Sequence, residues 1–176
     1  MFRTLKTSRI AWLAMGLVGG LILTGMWPES PLHAVATDRC QTYAMATGPL
    51  DEDVEAVFFL DFLTGELKGA ALNKQLGKFT AYFAARPIDD IGADPSKNPS
   101  YMMTTGMANL RRGGSRMQPS LSVVYVAEVT TGKVAAYSIP WNPAAHNMGR
   151  PINQAMLLLD VTLFRPAAAG TVVPSP

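Results

Sequence analysis

Histidine occurs twice and cysteine once in the 176 residues of this chain. The single cysteine, Cys40, rules out an internal disulfide and any C-x-x-C pair for redox work or zinc. Beyond the first 36 residues the only histidine is His146, so nucleophilic triads and most transition-metal sites lack their usual base or ligands. No G-x-S-x-G, H-E-x-x-H, P-loop or G-x-G-x-x-G is present, which speaks against hydrolase and nucleotide-binding chemistry. Charge is also thin, at 16%, against 48% apolar residues. A chain so composed buries a core and does not stay disordered.

Basic excess is lacking where a nucleic-acid surface would need it. The formal charge of +2 comes from Arg3, Lys6 and Arg9, which precede an apolar segment; from Thr37 onward 12 basic residues meet 12 acidic ones. Binding to a phosphate backbone needs a net basic face, so nucleic acid is not an expected partner.

The first 36 residues read as an export leader. Three basic residues precede the uncharged run Ile10 to Trp27, which Pro28 and Glu29 close. Its 18 residues just reach the roughly 17–25 that span a bilayer, which favours an anchor. Ala34-Val35-Ala36 supplies the small-x-small pattern of a cleavage site, with the mature chain starting at Thr37, which favours removal. Residues 1–36 are therefore expected to be a signal peptide or a signal anchor. In either case the basic flank holds the N-terminus inside and places the remainder outside the cytoplasm, periplasmic after cleavage or membrane-anchored through residues 10–27. Gly16 and Gly20 also form a G-x-x-x-G, which in an uncleaved span lets two helices approach.

No stretch of ten residues after Trp27 shows a helical period, and strand signals dominate. Residues 37–53 are polar, with Gly48-Pro49 as a turn signal, and read as an entry loop or short edge strand. From Val54 to Phe62 apolar residues alternate; Glu66 to Leu72 returns after a short loop. Further strands are expected over Lys78–Ala84, Tyr101–Thr105, Ser122–Val129, Lys133–Pro140 and Ala155–Leu163. The long segments Arg86–Ser100, Gly106–Ser120 and Trp141–Gln154, rich in Pro, Gly, Asn, Asp or Arg, read as loops. The expected fold is all-β: an antiparallel meander of about seven strands spanning 37–164, arranged as a small sandwich, partial barrel or propeller-like unit. Residues 165–176, rich in Ala and Pro, read as a disordered tail.

One pattern occurs twice. Leu60-Asp61-Phe62-Leu63-Thr64-Gly65-Glu66-Leu67 matches Ala127-Glu128-Val129-Thr130-Thr131-Gly132-Lys133-Val134, with an acid and then Thr-Gly at the same spacing. Gly65 and Gly132 are expected to take positive φ at hairpin tips, where the acid and threonine bond loop amides. These acid-x-x-Thr-Gly hairpins resemble those of PQQ-type β-propeller blades. Gly69 and Ala136 stand where such blades carry a docking tryptophan, so the resemblance implies the hairpin and not the propeller or its quinone. Across Ala36-Thr37-Asp38-Arg39, Thr47-Gly48-Pro49-Leu50-Asp51-Glu52-Asp53 and the two hairpins, the chain also resembles a family of short uncharacterised exported bacterial proteins. That resemblance implies an address and no activity.

The remaining candidate groups carry little chemistry. Asp51-Glu52-Asp53 with Glu55, and Asp89-Asp90 with Asp94, offer hard oxygens to a cation but lack the alternating pattern of a calcium loop, and carboxylate pairs for glycoside hydrolysis lack aromatic platforms beside them. Met102, Met103, Met107, Met117, His146 and Met148 are soft ligands whose commoner use is core filling. Arg111, Arg112 and Arg116 surround Gly113-Gly114-Ser115 and form the first-choice contact loop, suited to an acidic partner surface. No catalytic residue, cofactor or metal is assigned. The function expected is that of a non-enzymatic interaction module in the cell envelope, with ligand or metal binding second and hydrolysis third.

Overall fold

A computed structural model describes residues 37–110 and 117–165, together with Trp12 and Met15–Leu17, which are helical. The chain divides into two units, Met1–His33 and Ala34–Pro176. The fold described below is that of the second.

The described residues of this unit are mostly β, in ten strands: β1 Thr37–Arg39, β2 Tyr43–Pro49, β3 Glu55–Asp61, β4 Glu66–Asn73, β5 Lys78–Ala85, β6 Tyr101–Met107, β7 Gln118–Glu128, β8 Lys133–Trp141, β9 Ile152–Ala155 and β10 Leu157–Leu163. They form a six-stranded sheet in the order β1-β2-β3-β4-β5-β9 and a four-stranded sheet in the order β10-β8-β7-β6; no closed barrel forms among them. The inward residues of both sheets, among them Phe58, Leu60, Leu67 and Phe83 from the first and Tyr101, Val124, Val126, Tyr137 and Trp141 from the second, join one hydrophobic cluster. The alternation that marked β3 is therefore a burial alternation: Ala56, Phe58 and Leu60 are enclosed while Glu55, Val57 and Phe59 face outward.

The count of about seven strands is corrected to ten. The segment expected as an entry loop or short edge strand holds β2, an interior strand paired with β3 along its whole length and with β1 over Ala44–Ala46. Its inward positions are Ala44, Ala46 and Gly48, side chains too small to give a hydrophobic period. They are small because β6 and β7 press on them: a Cβ on Gly48 would lie 3.0 Å from Ser122 Oγ and 3.2 Å from Thr105 Cβ. The stretch expected as one strand from Ala155 to Leu163 is two. Buried Met156 donates its N–H to the Ala84 carbonyl and turns the chain from one sheet to the other. The purely antiparallel expectation is corrected as well, because β9 pairs parallel with β5, Ala81 opposite Ile152 and Ala84 opposite Ala155. Two of the expected loops contain single-turn helices, Pro87–Ile91 and Pro143–Asn147, each opened by proline at the first position, where a missing N–H costs nothing.

Candidate functional site

The two matching segments form the same tip. In β3–β4 the Gly65 N–H donates to the Asp61 carbonyl at 2.9 Å, the Leu63 N–H to Asp61 Oδ1 at 2.9 Å and the Glu66 N–H to Thr64 Oγ1 at 3.3 Å. In β7–β8 the Gly132 N–H donates to the Glu128 carbonyl at 2.9 Å and the Lys133 N–H to Thr131 Oγ1 at 3.3 Å. Glu128 accepts twice, from the Thr130 N–H at 2.9 Å and the Thr131 N–H at 2.6 Å. Gly65 and Gly132 have φ of +66° and +72°, the left-handed region glycine enters without strain.

Both tips hold the Pro87–Ile91 helix. A Cβ on Gly65 would lie 2.4 Å from Ile88 Cβ, Lys133 Nζ donates to the Ile91 carbonyl at 2.9 Å, and the Tyr137 hydroxyl donates to Asp90 Oδ2 at 2.8 Å. Burial raises the Tyr137 pKa, and the bond to Asp90 adds to the rise. Tyr101 lies beside the second tip, paired across strands with Glu128. Burial, reinforced by the Glu128 and Asp89 charges, pushes its phenol up to about 12. Burial alone would raise the Glu128 pKa, but the hydroxyls and amides of Thr131 and Thr130 outweigh it and the net direction is down. The group is a structural latch of satisfied or neutral polar atoms.

The second assembly is a cleft of about 1100 Å³. Its walls include Asp51, Glu52 and Asp53 from the β2–β3 turn, Lys74 and Gln75 from the β4–β5 turn, Asn109 after β6, and Asn147 from the Pro143–Asn147 helix. Behind it runs a polar network. Trp141 Nε1 donates to Asp51 Oδ2 at 2.7 Å, and the Trp141 ring meets the His146 ring at 4.8 Å between centroids. Asn73, buried, donates Nδ2 to the His146 carbonyl at 2.7 Å and accepts the Gln75 and Leu76 amides on Oδ1 at 3.0 Å each. His146 is enclosed with neither ring nitrogen hydrogen-bonded. Burial lowers its pKa; the Asp51 charge opposes this, Lys74 adds to it, and the net direction is down. The neutral imidazole is therefore favoured.

Comparison of the chain with family models, with curated proteins and with solved structures finds no match. What the site can do rests on its own geometry.

The acidic clusters are engaged locally. Asp51 bonds Trp141 and the Asp53 amide, Asp53 pairs with Lys74 at 3.3 Å, Asp89 pairs with Arg86 at 3.0 Å, Asp90 meets Tyr137, and Asp94 accepts from the Ser96 amide and hydroxyl at 3.0 and 2.7 Å. Among the described residues no three His, Cys, Asp or Glu side chains are placed to hold one metal ion. Met103 and His146 are buried, while Met102, Met107 and Met148 are exposed. Arg111, Arg112 and Arg116 lie outside the described residues. The chain entering that loop is described, and Ala108 and Asn109 border the cleft.

Lys74, Gln75, Asn109, Trp141 and Asn147 carry no motif. They converge because the β2–β3 and β4–β5 turns share one end of the six-stranded sheet, which no sequence spacing records. The arrangement supplies amide, ammonium and carboxylate groups for hydrogen bonding, and the described residues include no paired nucleophile and base.

Proposed function

We propose that this chain is an exported interaction module, membrane-anchored through residues 10–27 or released after Ala36, that binds a protein partner in the cell envelope. Its scaffold is read as a small sandwich, with the outer face of the six-stranded sheet as the contact surface. The observation that carries the reading is the side-chain order on that face. Tyr43, Met45 and Phe59 are exposed large hydrophobics on the adjacent strands β2 and β3, with Met45 opposite Phe59 and Tyr43 stacked on Phe59 at 5.0 Å, and Tyr82 is exposed on β5, across β4 from them. Asp61, Glu66 and Lys68 border the β2–β3 cluster, Lys68 opposite Phe59 and pairing with Glu66 at 3.0 Å. Aromatic and methionine side chains at the centre with charges at the margin is the make-up of a protein contact. Nothing in the core requires these rings outside; the inward face of the same strands is already filled. The arginine loop, residues 111–116, is retained as a second contact on its charge.

The address supports this reading through the leader's charge order alone. Among the described residues no helix is long and apolar enough to cross a membrane, and most of residues 10–27 lie outside them. A reporter fused after Trp27 tests export: activity only in the cytoplasm removes the reading.

Crosslinking in the native envelope, followed by mass spectrometry, tests the surface. A single partner should be captured by the wild type, and Phe59→Asp should reduce its recovery at least about tenfold, the effect of removing one central aromatic contact. Equal recovery from both chains assigns the contact elsewhere. The cleft favours a second reading, binding of a small polar ligand, since its volume is that of a ligand pocket. A ligand that raises the melting temperature of the wild type but not of Lys74→Ala would select that reading.

A further inference from the structure

β10 is the edge of the four-stranded sheet, and among the described residues nothing pairs with its outer side. Edge strands in monomers are kept short, carry lysine, proline or an inward charge, or are twisted by a bulge; of these β10 has only the irregularity between Leu158 and Asp160, at its N-terminal end. It holds neither lysine nor proline and is seven residues long. Its seven residues, Leu-Leu-Leu-Asp-Val-Thr-Leu, hold one charged side chain, Asp160, and its burial pattern is exposed at six of seven positions. Leu157 is 58% exposed, Leu158 44%, Leu159 47%, Leu163 53% and the following Phe164 74%. Successive side chains of a strand alternate, so the consecutive leucines stand on both of its faces. At about 150–200 Å² for each side chain, these five leave roughly 400–550 Å² of apolar surface uncovered, near the upper limit for a monomer's largest patch and at least about half of what one partner contributes to a standard interface.

We propose that β10 pairs with β10 of a second copy of this chain, antiparallel about a twofold axis, joining two four-stranded sheets into one of eight strands. A strand apolar on both faces needs a partner apolar on both faces, and β10 itself is such a strand. The sequence also permits the symmetry. With the axis through the Val161 pair, Asp160 of one copy lies opposite Thr162 of the other, an acceptor against a donor. Leu159 then faces Leu163, and Leu158 faces Phe164. An axis through Asp160 would instead set two carboxylates against each other, so charge disfavours that register. A twofold contact of this kind is closed and stops at two copies. It uses the opposite sheet from the partner-binding face proposed above and does not depend on that reading.

The test is sedimentation of the full chain in mild non-ionic detergent under reducing conditions, so that Cys40 cannot link copies. The wild type should sediment as a dimer, and Leu159→Lys should raise the dimer dissociation constant at least about a hundredfold, while Leu76→Lys, an exposed leucine on the β4–β5 turn, leaves it unchanged. Leu163→Lys serves as the second variant should Leu159→Lys lower the melting temperature. In a Cys40→Ser background, Val161→Cys should form a disulfide-linked dimer on oxidation. A wild-type monomer at about 100 µM overturns the proposal. So does a dimer that Leu159→Lys and Leu163→Lys leave intact, which would place the contact in the leader or another surface. A chain ending at Arg165 that dimerises where the full chain does not would also overturn it, by showing that residues 166–176 occupy the edge.

Discussion

The β3–β4 and β7–β8 tips share their hydrogen-bond plan and differ in what lies over them. Asp61 is half-buried and holds one amide, whereas Glu128 is enclosed and holds two. Gly65 is pressed against Ile88, a buried residue of the Pro87–Ile91 helix. Gly132 lies against Arg165, an exposed residue near the end of the chain, and the Phe164 N–H donates to its carbonyl at 3.0 Å. One local code thus supports two different loads. The first tip depends on its glycine, the second on its acid.

Substitutions can break that division. Gly65→Val meets both a positive φ and a core side chain that cannot retreat, so a loss of about 3–5 kcal/mol is expected from backbone strain and overpacking together. Gly132→Val carries the same strain against the Cβ and backbone of Arg165, an exposed residue two positions past β10 and not a core residue, and should cost about 1–3 kcal/mol. Equal melting temperatures for the two variants would show that the neighbours do not matter.

The acids should rank the other way. Glu128→Ala removes an enclosed carboxylate and two part-buried hydrogen bonds and is expected to cost about 1.5–3 kcal/mol, against about 0.5–1.5 kcal/mol for Asp61→Ala, which removes one exposed bond. The lowered pKa of Glu128 fixes the sign with pH. Its contribution is complete above the ordinary carboxylate value and lost as pH falls through the lowered one, so urea titrations from pH 7 to pH 3 should show the Glu128→Ala deficit shrinking.

His146 offers a comparison outside both tips. Its neutral form is favoured in the folded chain, so its contribution is complete above the unfolded value near 6.5 and declines as pH falls from there toward the lowered folded value. His146→Phe should flatten the dependence of melting temperature on pH between about 6.5 and 5. An unchanged slope would mean that the imidazole is charged in place.

The smallest effect is expected from replacing Arg111, Arg112 and Arg116 together by Ala: less than about 0.5 kcal/mol on folding, with capture of an acidic partner reduced and its salt dependence lost. A collapse of the thermal transition would make the loop a third structural element alongside the tips.

The hairpins were legible because large residues alternate on β3 and β7 and because Thr-Gly marks each turn. β2 was not, since its buried positions carry Ala44, Ala46 and Gly48, which register as neither face. The division between β9 and β10 was hidden for the opposite reason: the run from Met156 to Leu159 is apolar throughout, and only the Ala84 carbonyl receiving the Met156 N–H shows where the chain changes sheets. The single-turn helices were too short to show a period. Of the cleft, only Asp51, Glu52 and Asp53 stood out, as charges; the tryptophan and asparagine that hold its rear wall came from strands and turns far apart in the sequence.

The parallel pairing of β9 with β5 bears on the order in which the molecule can form. Strands β1 to β5 can assemble as they emerge, each beside its predecessor, but the sixth place in that sheet is filled by residues about 70 positions later than their partners. Contacts so distant in the chain are slow to close and come after local ones. A chain threaded across a membrane from its N-terminus would deliver β9 and β10 last. The first sheet would then wait, five strands wide and open along β5, for almost the whole chain to arrive, and that interval is when a chaperone or a neighbouring copy would have access to it.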